Sequence, residues 1–173
     1  MDSEEIICLL NSRRQVKEKF TGKVYSSDTI PDLKPGKFYI VNTLQSNSSF
    51  DLTGHWCIYL YYKKLNKLVF IDPYGDPPSL RFAIPMLKLH NNAKLCYSNF
   101  AFQNESNTKV TTCGMHCIAF AILFSYDLDI NAIYFNFYKI QRPVSDYSYF
   151  DRLVTKFISG FFNETKRSIF HIP

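Results

Sequence analysis

The sequence predicts an α+β domain in which a mixed or antiparallel central sheet packs against helices. Short aromatic and β-branched segments, typical of strands, occupy the first half of the chain. Residues 117–124 form a run that is apolar on all sides and indicates that a helix predicted over 113–126, opening at Cys113, is buried and central. Strands followed by helices favour the α+β class. With 173 residues and no repeat or linker, one domain over 1–173 is expected.

The N-terminal part is predicted to contain a helix, a loop and a strand. Asp2 and Glu5 form a capping-box pattern, which predicts a short helix through about Asn11. Prolines and a glycine indicate a loop over 25–37. Residues 37–42 are aromatic and β-branched, so a strand is expected there.

The middle of the chain predicts a β-hairpin. Two apolar segments, 56–62 and 68–72, flank a lysine-rich turn at 63–67. A stretch rich in proline and glycine ends the hairpin. A helix over 79–89 and a strand over 93–103 are then expected.

The C-terminal part is predicted to be helical. Thr112 is the expected N-cap of the helix over 113–126. Two further helices are expected, one from about Asn131 and one over 149–161. These helices complete the α+β pattern.

Cysteine usage and charge limit the compartment and the partners. The five cysteines are an odd number, the acidic N-terminus does not resemble a signal peptide, and no apolar run is long enough to span a bilayer. We therefore expect a soluble, non-secreted protein with free thiols and no membrane partner. Basic residues concentrate at 13–23 and 63–67, and the net charge is +5. An ordinary solvated surface is the favoured interpretation, and non-specific DNA binding is the alternative.

Cys113 is the candidate nucleophile because it occupies the first turn of the buried helix. Unpaired backbone N–H groups and the helix dipole favour an anionic sulfur there, but the dipole supplies only about 0.3–1 kcal/mol. A nucleophilic thiol therefore needs a neighbouring imidazole as well. Gly114, directly after the thiol, leaves room for the backbone of a substrate.

One end of the hairpin carries both an imidazole and a carboxylate. If residues 63–64 form a two-residue turn, paired residue numbers add to 127 and His55 faces Asp72. If 65–66 form the turn, the numbers add to 131, and only a bulge brings the two side chains together. In contact, Asp72 would orient the ring of His55.

Each candidate also has a purely structural interpretation. A cysteine at a helix start is most often a small packed residue, a histidine beside tryptophan is usually packed or exposed, and an aspartate before proline is usually a turn residue. Cys113, His116 and Cys117 share one helix face, but no second ligand pair with zinc spacing accompanies them. No metal site is therefore expected.

Taken in order along the chain, the motifs resemble the adenain-type proteases of adenoviruses and the related SUMO- and ubiquitin-like-protein proteases. The matching elements are Thr53-Gly-His-Trp56, Val69-Phe-Ile-Asp-Pro-Tyr-Gly75, Gln103 and Cys113-Gly-Met-His-Cys117, with weaker matches at 24–28 and 39–42. The order His, Asp, Gln, Cys distinguishes this pattern from papain-like enzymes, in which the cysteine comes first. The resemblance covers about residues 20–126.

The resemblance implies an adenain-like cysteine protease. In that arrangement Cys113 attacks, His55 manages the proton and Asp72 orients His55. Gln103 would donate its amide N–H to the oxyanion. Because Gln103 precedes the cysteine by ten residues, a longer spacing than the family shows, Asn107 competes for this role.

The resemblance also implies hydrolysis of peptide bonds near glycine through a thioester intermediate. Trp56 would then form one wall of a narrow substrate channel beside Gly114. Capsid or core precursor proteins of a DNA virus or virophage are the expected substrates. A monomer in the virion and in the host cytoplasm or nucleus is expected. No cofactor is expected, although an activating peptide or DNA would be compatible with the family.

Three other functions remain open on the sequence alone. A deconjugase acting on ubiquitin-like tails and an acetyltransferase of the bacterial-effector kind share the same residue order. The third is a non-enzymatic, basic protein that binds nucleic acid or capsid. Slow alkylation of Cys113 relative to Cys8 or Cys96 would favour this last function.

Overall fold

A five-stranded mixed sheet is the centre of the fold. The computed structural model describes residues 1–48, 54–89, 93–98, 101–103, 112–128 and 147–169. The strands are β1 (Tyr25–Ser26), β2 (Phe38–Asn42), β3 (Trp56–Tyr62), β4 (Lys67–Ile71) and β5 (Lys94–Tyr97), and they lie in chain order across the sheet. Strands β2, β3 and β4 are antiparallel, while β1 and β5 run parallel to their neighbours. The predicted α+β class with a mixed sheet is confirmed.

Helices pack on this sheet. Within the described residues they are α1 (Ser3–Asn11), α2 (Arg14–Lys19), α3 (Leu80–Leu87), α4 (Cys113–Ser125) and α5 (Tyr147–Ile169). Helix α1 begins with the predicted capping box, in which the Glu5 N–H donates to Asp2 Oδ1 at 2.8 Å and the Asp2 N–H donates to Glu5 Oε2 at 3.0 Å. None of these helices combines the length and the apolar character that a membrane span needs.

Side-chain alternation along the strands divides the core into two layers. On one face of the sheet, Ile58 and Leu60 of β3 belong to the cluster that includes α4. On the other face, the ring of Phe70 packs between Tyr59 and Phe82 of α3. Strand β3 therefore lies between two apolar layers.

Helix α4 packs against β3 and α5. All of its residues except Met115 and Leu123 are buried, as its apolar sequence predicts. Thr112 is the N-cap residue, but its side chain does not cap the helix. Its hydroxyl donates instead to Asp151 Oδ1 on α5 at 2.6 Å. The predicted N-cap position is confirmed. The predicted capping contact is wrong, because the Thr112 hydroxyl donates its hydrogen bond to a buried carboxylate instead.

The β3–β4 hairpin has a register that differs from both predicted ones. Its turn consists of four residues, 63–66, and is closed by a backbone hydrogen bond of 3.3 Å between the first and the last of them. The last residue, Asn66, has a φ of 44°, a conformation that asparagine tolerates well. Ile58 pairs with Ile71, so paired numbers add to 129. Both predicted registers are wrong because they assumed a two-residue turn.

Several boundaries also differ from the predictions. Strand β5 ends at Tyr97, so the strand predicted over 93–103 is too long and Gln103 does not end a strand. Helix α5 extends the helix predicted over 149–161 in both directions. Strand β1 and helix α2 are not predicted by the sequence patterns, since each is very short. The helix predicted from Asn131 begins outside the described residues.

Candidate active site

The open end of the β3–β4 hairpin brings a histidine and an aspartate together. If the observed register is continued past the ends of the strands, Asp72 lies opposite Cys57. His55 precedes Cys57 by two residues, so its side chain lies on the same face of the sheet as Asp72. His55 Nε2 lies 2.6 Å from Asp72 Oδ1. The two side chains therefore meet as expected, but across a diagonal rather than from directly opposed positions.

Asp72 is buried and uses both oxygens of its carboxylate. Oδ1 accepts a hydrogen bond from the Tyr74 backbone N–H at 2.8 Å, in addition to its contact with His55. Oδ2 accepts a hydrogen bond from the Cys57 thiol at 3.3 Å. Because these contacts hold the carboxylate from both sides, Asp72 can fix the orientation of the imidazole and stabilise its positive charge.

His55 is held at its backbone and at its ring. Its N–H donates to Thr43 Oγ1 at 3.0 Å, and its carbonyl accepts from the Thr43 N–H at 2.8 Å. Its ring stacks on Tyr74, with 4.1 Å between the centroids and 15° between the planes. The sequence patterns predict neither Thr43 nor Tyr74 as part of the site. The feature that could have indicated Tyr74 is the hairpin register, because Tyr74 lies opposite His55 only when paired residue numbers add to 129.

The Cys113 sulfur lies where this hairpin end meets the first turn of α4. Burial alone would raise the pKa of the Cys113 thiol, but a hydrogen bond to His55 and the charge of its ring outweigh burial and lower that pKa. The backbone N–H groups of Trp56 and Gly114 lower the pKa further. The surroundings therefore stabilise a thiolate at the start of α4, where the helix dipole acts in the same direction.

His55 shows the complementary shift. Burial alone would lower the pKa of its imidazole, but hydrogen bonds and charge interactions with Asp72 and Cys113 raise the pKa from 6.5 to about 9. With Nε2 facing Asp72, Nδ1 is the nitrogen that remains for the sulfur. Nδ1 is buried, and none of the hydrogen bonds among the described residues involves it, so it is the nitrogen available to the Cys113 sulfur. The two shifts favour the same charge state, an imidazolium beside a thiolate.

Gln103 is buried and tied to the residue that follows Asp72. The N–H groups of Phe102 and Gln103 both donate to the carbonyl of Pro73, at 2.7 and 2.9 Å. This anchor places Gln103 beside the end of β4 that carries Asp72. The competing candidate, Asn107, lies outside the described residues.

Trp56 and Gly114, the predicted substrate-binding residues, are close neighbours. A methyl group added at Gly114 would lie 3.3 Å from Trp56 Cδ1 and 3.3 Å from Met1 Sδ. The Trp56 indole N–H donates to the Met1 carbonyl at 3.3 Å, and Trp56 is 7% exposed. The structure therefore brings the two residues together beside Cys113. Met1 packs over them, so Trp56 is part of the core rather than the wall of an open channel.

His55, Cys57 and Asp72 also have the composition of a metal site, since their ligand atoms lie within 4.8 Å of one another. Zinc would require the thiolate form of the cysteine. Burial and the charge of Asp72 raise the pKa of the Cys57 thiol well above its usual value. The protonated thiol donates to Asp72, so the cluster fits an oriented carboxylate better than a metal centre.

A second histidine–aspartate pair is buried at the start of α4. His116 Nε2 lies 3.0 Å from Asp151 Oδ1, the same oxygen that accepts the Thr112 hydroxyl. Burial lowers the pKa of His116, and the hydrogen bond and charge of Asp151 offset this only in part. The contacts tie α5 to residues on both sides of Cys113. The sequence predicts no role for Asp151, because nothing in its local pattern distinguishes it from a surface aspartate.

Comparison with known proteins finds similarity among solved structures and none among family models or curated sequences. No protein-family model and no curated protein sequence matches the chain. Among solved structures, the chain is similar to the crystal structure of the selenomethionine-labelled ASFV pS273R protease, with 16% identity and a TM-score of 0.41. The similarity covers 66% of this chain and 42% of that protease, so the chain spans less than half of its length.

Proposed function

We propose that this chain is a cysteine endopeptidase that hydrolyses peptide bonds through a thioester. The observation that carries the proposal is a matched pair of shifts: the pKa of Cys113 is lowered and that of His55 is raised. The buried cysteines outside the pair behave in the opposite way, since burial raises the pKa of Cys57 and Cys117 well above the usual value. The surroundings of Cys113 thus activate this thiol selectively.

The proposed reaction has two halves. In the first, the Cys113 thiolate attacks the scissile carbonyl carbon and a C–S bond forms. The imidazolium of His55 gives its proton to the leaving nitrogen as the C–N bond breaks, which leaves a thioester and a neutral imidazole. In the second, His55 takes a proton from water and the resulting hydroxide adds to the thioester. The C–S bond then breaks to give the acid, and the thiolate and imidazolium are restored.

The tetrahedral intermediates carry an oxyanion that needs hydrogen-bond donors. The backbone N–H of Cys113 serves as one donor, because the first N–H groups of a helix have no partner within the helix. Gln103 is the proposed second donor, since its backbone is anchored beside the strand end that carries Asp72. We expect Gln103→Ala to lower kcat by about 10²–10³ and Asn107→Ala to leave it unchanged. The reverse result would assign the role to Asn107.

The surroundings of the basic residues favour an enzyme over a basic binding protein. The Arg13 guanidinium donates to the carbonyl of Phe161 and lies over its ring. The Lys19 ammonium lies 2.6 Å from Asp127. These two members of the N-terminal basic cluster therefore contribute to packing and to an internal ion pair, which leaves less positive charge free for nucleic acid.

The substrate class is part of the same proposal and is supported by the resemblance to adenain-type proteases. Capsid or core precursor proteins of a DNA virus, cleaved near glycine, are the proposed substrates, and the chain acts as a monomer in the virion and the host cell. Activation by a peptide or by DNA would fit this role.

Thiol reactivity provides a direct test of the nucleophile. Cys8 is exposed, whereas Cys113 is only 2% exposed, so accessibility alone favours alkylation of Cys8. We expect iodoacetamide to modify Cys113 faster than Cys8 at neutral pH, because only a thiolate compensates for such burial. Peptide mapping by mass spectrometry measures both rates. Faster modification of Cys8 would count against the proposal.

Precursor processing tests the reaction itself. We expect wild type and Cys8→Ala to process a co-expressed capsid or core precursor, and Cys113→Ala to process none. Equal processing by Cys113→Ala would exclude the proposed mechanism. Faster cleavage of a folded ubiquitin-like fusion than of a glycine-containing peptide would indicate a deconjugase, and transfer of label from acetyl-CoA would indicate an acetyltransferase.

A further inference from the structure

A cavity of about 640 Å³ opens beside the His55 ring. His55, Asp72 and Tyr74 form the wall that it shares with the candidate active site. The first turn of α3, including Leu80 and Phe82, forms the wall on the opposite side. Its volume lies within the range of about 300–1,000 Å³ that is typical of small-molecule sites, so it can accommodate one or two amino-acid side chains.

The position of His55 determines which part of a substrate meets this cavity. In the proposed reaction His55 protonates the leaving nitrogen, so the chain that follows the scissile bond must pass beside the imidazole. The acyl part lies on the sulfur side, near Gly114 and Trp56. Among the described residues, the cavity is lined by His55 but not by Cys113, Gly114 or Trp56. Within the described residues, the cavity therefore borders the His55 and Asp72 part of the site and not the sulfur.

The lining of the cavity combines apolar side chains with the charged side chains of Asp72, Asp76 and Arg81. Phe70 and Phe82 are buried beneath it, and Leu80 stands at its edge with 74% of its surface exposed. The guanidinium of Arg81 also lines the cavity, but it is close enough to the Gln45 side-chain amide for a hydrogen bond. An apolar side chain entering the cavity would cover Leu80 and contact the phenylalanine rings, which favours binding by removing apolar surface from water.

We infer that this cavity is the specificity pocket for the residue directly after the scissile bond, and that it selects an apolar side chain through Leu80. The inference rests on the proposed function, because it requires a leaving amine at His55. It adds a second determinant of cleavage: glycine is favoured on the acyl side, and an apolar residue on the leaving side.

Two matched peptides test the inference. They contain the same glycine-ending acyl part and differ only in the next residue, leucine or aspartate. We expect wild type to cleave the leucine peptide with a kcat/KM higher by at least about tenfold, as for partial burial of one apolar side chain. Leu80→Asp is expected to reduce this ratio to near one. Because the ratio is taken within one enzyme preparation, loss of folded protein does not affect it.

Leu87→Asp is the matched control, since Leu87 is an exposed leucine of the same helix that does not line the cavity. We expect Leu87→Asp to keep the wild-type ratio. A wild-type ratio near one, or an equal change in both variants, would overturn the inference.

Hydrolysis of a methyl ester of the same acyl part distinguishes failure of the specificity-pocket inference from failure of the proposed function. Its leaving group, methanol, is too small to fill the cavity. If wild type hydrolyses the ester, Cys113→Ala does not, and the peptide ratio is near one, only the specificity pocket is excluded. If wild type hydrolyses neither the ester nor either peptide, the proposed function and this inference both fail.

Discussion

The two histidine–aspartate pairs near the start of α4 contain the same chemical groups but differ in ionisation. His55 and Asp72 are 2.6 Å apart, and His116 and Asp151 are 3.0 Å apart. The pKa of His55 is raised to about 9, whereas the pKa of His116 is lowered. The first pair is partly exposed, with side-chain exposures of 15% and 10%, while the second is buried, with 0% and 6%.

The difference shows that a carboxylate alone does not make a histidine basic. His55 interacts with two groups that can carry negative charge, Asp72 and Cys113, and together they outweigh its burial. For His116, the hydrogen bond and charge of Asp151 do not outweigh burial, and the charge on His55 lowers the pKa of His116 further. The less buried pair is thus suited to proton transfer, and the more buried pair to stabilising the fold.

The largest expected effect comes from exchanging each histidine for asparagine. His55→Asn is expected to lower kcat/KM by about 10⁴–10⁶, as removal of one member of a catalytic triad does. His116→Asn is expected to lower it by less than about tenfold, because His116 does not take part in the proposed proton transfer. Steady-state kinetics on a glycine-containing peptide measure both, with thermal unfolding as the control for folding. Losses of equal size would remove the functional distinction between the pairs.

A smaller effect is expected from Asp72→Asn, which keeps the shape of the carboxylate and removes its charge. We expect kcat to fall by about 10⁴, as for the corresponding change in a serine protease triad. In wild type, activity is expected to decline as the pH rises through about 9, because His55 then loses the proton for the leaving group. Since Asp72 raises that pKa, the decline should move to lower pH in Asp72→Asn. An unchanged profile of kcat/KM against pH would contradict this role.

The buried pair should affect stability more than chemistry. Asp151→Ala leaves the Thr112 hydroxyl and the His116 N–H without their acceptor, at a cost of about 1–3 kcal/mol for each buried donor. Asp151→Asn retains an oxygen that can accept both hydrogen bonds and should cost less. Urea unfolding gives the free energy of each variant. Equal losses for alanine and asparagine would show that the charge of Asp151, rather than its hydrogen bonds, stabilises the fold.

The smallest expected effect is a pH dependence of stability from His116. Because burial lowers its folded pKa, the unfolded chain binds more protons than the folded chain just below about pH 6.5. Stability should therefore fall as the pH decreases below that value, by at most about 1.4 kcal/mol per pH unit. The His116→Asn variant should lose this component of the slope. Parallel stability curves for wild type and variant would contradict the assignment.

The His55–Cys113 pair should contribute little to the pH dependence of stability near neutral pH. Folding raises the pKa of His55 and lowers the pKa of Cys113, so the two shifts change the number of bound protons in opposite directions. The number of bound protons therefore changes little on folding. His55 is therefore expected to control the pH dependence of activity, and His116 that of stability.

Much of the candidate site could be predicted from local sequence. The apolar run after Cys113 predicts the helix and places the sulfur in its first turn, because periodicity is a local property. The two segments after His55 predict the hairpin for the same reason. The register and the β5 boundary could not be predicted, since a turn of four residues and one of two have similar composition. The role proposed for Gln103 stays a prediction.

By itself, the sequence determined the α+β class, the hairpin, the buried helix, and the fact that His55 and Asp72 share one face of the sheet. That last point holds in every register considered, because side chains alternate with a period of two. Tertiary structure alone decided that Tyr74 stacks on His55, that Cys57 holds Asp72, and that Asp151 reaches the start of α4. Contacts of this kind depend on how separate elements pack, and no local pattern encodes the distance between them.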